Sequence, residues 1–285
     1  MIIDCHCHAG SGDGLTGPWD TRASLRSYVR RAAAARIDRT VLLAAFHSDY
    51  ARANREVAHI VARYPERFYG FAFVHPERDR GRVLTMVRTA VERYGFVGIK
   101  VHRHDARLTR EICEVARAFS LPVLYDLMGE VSACELFARE YPDVAFIIPH
   151  LGSFADEWRT QLAFVDHLAR HPNVHTDTSG VRRFDLLEQA LQRAGPRKIL
   201  FGSDGPWLHP AVELAKIRAL NLAHVDEQRI LSGNFLRLIA GVRAAPKIAA
   251  RRIAALVSGH AERGDPWIVP ELSIAQTAVR SSAAG

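Results

Sequence analysis

Eight short apolar runs, each closed by a polar residue, recur between residue 3 and residue 204, and this recurrence restricts the fold more than any other feature of the chain. The closing residues are His8, His47, His75, His102, Asp126, His150, Asp177 and Asp204, spaced 24 to 39 residues apart. Typical runs are Val41-Leu42-Leu43-Ala44-Ala45-Phe46 and Val144-Ala145-Phe146-Ile147-Ile148. The intervening segments (21–36, 54–64, 82–94, 109–119, 131–141, 158–171, 183–194, 211–220 and 226–240) place apolar residues three or four apart, as amphipathic helices do. Asp20 or Thr21 is a suitable N-cap for the first of them. Connections of this length are crossovers, so successive strands run parallel. Near-continuous apolar runs fit strands covered on both faces. Eight such units in 285 residues predict an α/β fold, a (β/α)8 TIM barrel of about 250 residues, with a doubly wound open sheet as the alternative. The predicted domain covers residues 1–241. Residues 242–285 form a C-terminal extension with a helix over 247–257, packed on the barrel and loose at its end.

In a barrel the C-terminal ends of all the strands meet at one face, so the closing residues ring a single site. The first run, Ile3-Asp4-Cys5-His6-Cys7-His8, ends in two histidines one residue apart. A regular strand puts Asp4, His6 and His8 on one face and Cys5 and Cys7 on the other. Two imidazoles converging in this way suit a borderline divalent ion.

The net charge of +7 raises nucleic acid as a partner, but the basic residues are scattered among acidic ones, with no basic block or recognition motif. Only four of the 38 basic residues are lysines, namely Lys100, Lys198, Lys216 and Lys247. Lys100, at a strand end in an arginine-dominated chain, therefore suggests a need for an amine. No apolar run approaches the ~20 residues of a membrane span, and no leader pattern precedes the first strand. The four cysteines (Cys5, Cys7, Cys113, Cys134) lie in strand and helix contexts, as reduced thiols do. A cytoplasmic protein acting on a small molecule is expected, with no nucleic acid or membrane as partner and a homo-oligomer as an open possibility.

Several stretches together resemble the amidohydrolase superfamily, in particular the branch containing aminocarboxymuconate-semialdehyde decarboxylase and related lactonases. They are Ile3 to His8, Gly98-Ile99-Lys100-Val101-His102, Ile148-Pro149-His150-Leu151-Gly152, Asn173 to Gly180, Leu200-Phe201-Gly202-Ser203-Asp204-Gly205-Pro206-Trp207 and Gly233 to Leu238. The resemblance implies one or two divalent ions, zinc first with manganese or iron as alternatives, held by His6, His8 and Asp204 with His150 and Asp126 as further ligands. It implies that the ion acidifies a bound water, that Asp204 takes the water's proton, and that His150 acts as general acid or base or as a ligand. The family places a histidine at the end of strand five, where this chain has Asp126. An aspartate there makes the site harder and more anionic, or the ligand is lost. Lys100 is a carboxylated bridge between two ions, a grip for a substrate carboxylate, or the partner of Asp126. His102, Arg103 and Trp207 join it as substrate-binding candidates. His47, His75, His104, His175, Arg182, Arg183 and His209 add to a cationic rim suited to a carboxylate-bearing substrate. The expected activity is metal-dependent hydrolysis of an amide, lactone or ester. The alternatives are non-oxidative decarboxylation and a catalytically silent barrel that binds a ligand or partner.

Overall fold

The computed structural model describes residues 1–16, 22–154 and 157–242. The expected cap at Asp20 or Thr21 and the expected helix over 247–257 lie outside the described residues, as does nearly all of the C-terminal extension. Eight strands, β1 (Ile3–Ala9), β2 (Arg39–Ala44), β3 (Phe68–Phe73), β4 (Gly98–His102), β5 (Val123–Asp126), β6 (Phe146–Ile148), β7 (Val174–Asp177) and β8 (Ile199–Leu200), pair in parallel in sequence order. Hydrogen bonds from Cys5 N to Phe201 O (2.9 Å) and from His8 N to Gly205 O (2.6 Å) join the end of the sheet back to its beginning. This is the predicted (β/α)8 barrel.

Helices α1 (Leu25–Ala34), α2 (Tyr50–Arg63), α3 (Val83–Tyr94), α4 (Arg110–Phe119), α5 (Ala133–Glu140), α6 (Trp158–Arg170), α7 (Phe184–Ala194) and α8 (Pro210–Ala219) follow the strands. They form the outer layer because each carries one apolar stripe, such as Ile112, Val115, Ala116 and Phe119 on α4, all buried. The predicted helix over 226–240 is instead α9 (His224–Gln228), a π-helical turn over Arg229–Gly233, and α10 (Asn234–Ile239). The break sets Phe235 of α10 among the residues that fill the barrel interior, with Ile3, Cys5, Val41, Leu43, Phe71, Leu124, Ile147 and Leu200.

One irregularity decides where the histidines of β1 point. Asp4 pairs with Thr40 and Cys7 with Leu42, so Cys5 and His6 together stand opposite the single residue Val41. Such a bulge puts two consecutive side chains on one face and reverses the parity beyond it. His6 and His8 therefore face inward while Asp4, expected on the same face, turns to the helix layer. There its carboxylate accepts from the Tyr28 hydroxyl (2.6 Å), the Ser203 hydroxyl and Ser203 N (2.9 Å), and also from His6 N (3.1 Å). Asp4 thus ties the bulge carrying His6 to the loop carrying Asp204.

His175, expected on the rim, is instead buried and stands in register with Ile147 of the barrel interior. Burial, and secondarily Lys198 and Arg237, lower its pKa to about 3. The unfolded chain therefore binds a proton that the folded one refuses, and stability falls as pH drops below the unfolded value of about 6.5. Between pH 7 and pH 5 this group costs about 2 kcal/mol. His175→Leu should remove that acid sensitivity, seen as a smaller fall in urea midpoint than the wild type shows over the same interval.

Candidate active site

At the strand ends a cavity of about 520 Å³ opens, lined by His6, His8, Lys100, His102, Asp126, His150 and Asp204, with Phe46, Phe154 and Trp207 among its walls. This is the size of an ordinary small-molecule pocket.

The rings of His6, His8 and His150 are held alike. His6 Nδ1 lies 2.8 Å from Asp177 Oδ2, His8 Nδ1 2.8 Å from the Ala44 carbonyl, and His150 Nδ1 2.7 Å from the Ser179 carbonyl. A ring nitrogen facing an acceptor carries the proton, which leaves Nε2 to the cavity. Burial, then His6 and Lys100, push the His8 pKa well below its usual value and keep that ring neutral.

Asp204 sits in the left-handed region at φ 52°, a conformation that aspartate tolerates better than most residues. Its Oδ1 lies 3.5 Å from His6 Nε2 and 3.6 Å from His8 Nε2. These separations are too long for good hydrogen bonds. They match donors sharing one ion: ligand bonds near 2.1 Å in a tetrahedron set donors about 3.4 Å apart. Two imidazoles and a carboxylate form a donor set that divalent transition ions accept, so these three residues fit a metal.

Asp126 and His150 stand outside that group of three and beside each other, with His150 Nε2 3.5 Å from Asp126 Oδ2. His102 Nδ1 accepts from His104 N (3.0 Å), which places its proton on Nε2, 3.2 Å from the same Asp126 oxygen. Burial opposes ionisation of Asp126, but His102 and His150 outweigh it and hold the carboxyl well below the usual range. Burial likewise opposes a charge on His150, yet Asp126, then Asp177 and Asp204, raise its pKa to about 9. At 3.5 Å Asp126 is too far for a good hydrogen bond but close enough for its charge to favour the protonated ring.

A family model described as amidohydrolase matches residues 3–239. The chain belongs to that family. Solved structures similar to this amidohydrolase include 2,6-dihydroxybenzoate decarboxylase from Rhizobium (16% identity, 84% of this chain and 98% of that one, TM-score 0.67). Another is dihydroxybenzoic acid decarboxylase from Polaromonas with bound manganese and 2-nitroresorcinol (19% identity, 84% and 96%, TM-score 0.65). A third is 4-oxalomesaconate hydratase from Rhodopseudomonas palustris (17% identity, 92% and 100%, TM-score 0.64). At these identities the likeness is one of fold. No curated protein matches the sequence significantly.

The fold brings His6, His8, Lys100, His102, Asp126, His150, Asp204 and Trp207 of this amidohydrolase to the cavity, with the His8 and Trp207 rings 4.6 Å apart. Arg103 is not among the lining residues; its guanidinium pairs with Glu130 at 2.9 Å. None of the rim candidates His47, His75, His104, His175, Arg182, Arg183 and His209 is among the described lining residues either. Arg183 pairs with Asp185 and His209 caps α8 through Ala211 N. Lys100 is the sole lysine or arginine among the described lining residues, which also include the acidic Glu157. Lys100 is fully buried, and burial lowers its pKa while Asp126 and Asp204 partly offset that. Of the three roles considered for it, the ion pair with Asp126 is not found among the described contacts.

Asp177 has a role that the sequence reading left unassigned, although it closes the seventh run. Besides holding His6 it accepts from Ser179 N (3.0 Å) and the Ser179 hydroxyl (2.5 Å). Burial would raise its pKa, but His6, His150 and Ser179 outweigh this and keep it fully ionised. Both oxygens accept, so the amide of Asp177→Asn must point one N–H group at another donor. The expected result is a 10- to 100-fold loss in metal affinity, measured by chelator competition, with the circular dichroism spectrum unchanged.

Proposed function

We propose that this amidohydrolase is a metal-dependent, non-oxidative decarboxylase of a small, flat, carboxylate-bearing compound. The observation that carries the reading is the placement of His150, whose ring lines the cavity with Asp126 beside its Nε2, next to a cluster that fits a metal. The decarboxylases of like fold, one of them with bound manganese, support it. His6, His8 and Asp204 would hold the ion, manganese or zinc. When bound, it supplies Lewis-acid polarisation of a substrate oxygen.

The chain's own residues do the rest. Phe46, Phe154 and Trp207 flank a planar ring. Lys100 meets the carboxylate as a buried point charge. His150 delivers its Nε2 proton to the carbon that bears the carboxylate, forming a C–H bond. The C–C bond then breaks, its electron pair restores the conjugated system, carbon dioxide leaves, and solvent reprotonates His150. Asp126, held by His102 and by Met128 N (2.9 Å), keeps that ring charged.

Hydrolysis of an amide, lactone or ester, the activity expected from the sequence, is the second reading, favoured by the family's own chemistry. Turnover of hydroxybenzoates in deuterium oxide enriched in ¹⁸O separates the two. Decarboxylation releases one carbon dioxide per turnover and leaves one deuterium on the product carbon. Incorporation of ¹⁸O from an ester or lactone, without carbon dioxide, would overturn the proposal.

A further inference from the structure

On the helix layer, Glu135 of α5 and His167 and His171 at the end of α6 bring potential ligand atoms within 4.8 Å of one another. We propose that these three side chains form a second metal site, for a borderline divalent transition ion such as zinc, independent of the cavity and of its chemistry. None of the three lines the cavity.

The geometry supports this in three ways. His167 and His171 are four residues apart, so they project from one side of the helix, and their rings lie nearly parallel at 5.8 Å. Glu135 reaches across from the neighbouring helix to place Oε2 3.1 Å from His171 Nε2. His167 Nδ1 is buried and has no hydrogen-bond partner. A buried polar atom without a partner calls for an explanation, and ligation by this ring is one that its neighbours allow.

Arg139 and Arg170 both approach Glu135 at 3.3 Å and compete for the carboxylate. Both are largely exposed, at 74% and 62%, so these pairs are weak and their side chains can swing aside. Tetrahedral ligation needs donors about 3.4 Å apart, so the three must close on the ion by side-chain rotation. Two imidazoles and one carboxylate favour zinc, nickel or copper(II) over magnesium or calcium, which prefer all-oxygen shells. The ion would link α5 to α6, and zinc should raise the melting temperature.

The test is calorimetric titration of zinc into full-length protein already saturated with manganese, followed by elemental analysis and thermal melts. Wild type should take up zinc beyond any that exchanges into the cavity, with a rise in melting temperature. His167→Gln and Glu135→Gln should each weaken that extra uptake at least tenfold and abolish the thermal shift, while the manganese content stays as in wild type. X-ray absorption of the added zinc should show two imidazole ligands. Equal zinc uptake and equal thermal shift in wild type and both variants would overturn the proposal, as would wild type that takes up no more zinc than the cavity exchanges.

Discussion

With His6 and His8 both replaced by alanine, the protein should fold, carry less than about a tenth of an equivalent of divalent metal and lose turnover below detection. The two rings supply two of the three donors that stand at ligand spacing, and Asp204 alone cannot retain an ion against water. Folding should survive because both side chains border an open cavity, so truncation enlarges existing space and leaves the packed interior of Ile3, Cys5, Val41 and Leu43 intact. Elemental analysis and a thermal melt on the same sample decide the matter. A variant that fails to fold would make the pair architectural, and one that keeps its metal would move the site elsewhere.

The second large effect falls on proton delivery. His150→Gln should lower kcat by roughly 10²- to 10⁴-fold, the usual contribution of a positioned acid, while metal content stays at the wild-type level. Glutamine can still donate to the Ser179 carbonyl that now faces His150 Nδ1, so the loop at φ 60° for His150 and φ 52° for Leu151 should persist. It cannot carry the transferable proton. Gln161, whose amide donates to the carbonyls of His150 (3.1 Å) and Ser153 (2.8 Å), anchors the same loop to α6 independently. Loss of metal along with activity would instead make His150 a ligand, as the family resemblance allowed.

Much of this fold is legible in the sequence because its two periodicities differ clearly. The runs closed by polar residues and the three-to-four spacing between them locate all eight strands and, to within a few residues, the helices of the outer layer. Among the described residues, no helix is long and apolar enough to cross a membrane. What escapes is local geometry that no residue pattern announces. The bulge at Cys5 and His6 reverses the parity of β1, so alternation places His6 and His8 together correctly but wrongly adds Asp4. The π-helical turn over Arg229–Gly233 interrupts a segment whose apolar spacing reads as continuous helix.

The candidate site shows the same division. Residue types at strand ends point to His6, His8, His150 and Asp204. Which nitrogen each imidazole presents depends on acceptors remote in sequence, among them the Ala44 carbonyl and the Asp177 carboxylate. Arg103 and Arg183 look like a cationic rim in the sequence because their partners, Glu130 and Asp185, are assigned only by folding. The cavity's anionic members and buried Lys100 describe a narrower electrostatic task than a positive rim would. The cavity holds one buried amine, Lys100, and one histidine, His150, beside the carboxylate of Asp126.

The most direct test is diffraction from crystals of the metal-loaded protein at the absorption edge of the bound ion. The account predicts one strong anomalous peak within about 2.3 Å of His6 Nε2, His8 Nε2 and an Asp204 carboxylate oxygen. A fully loaded crystal with no anomalous density among those three atoms would contradict it.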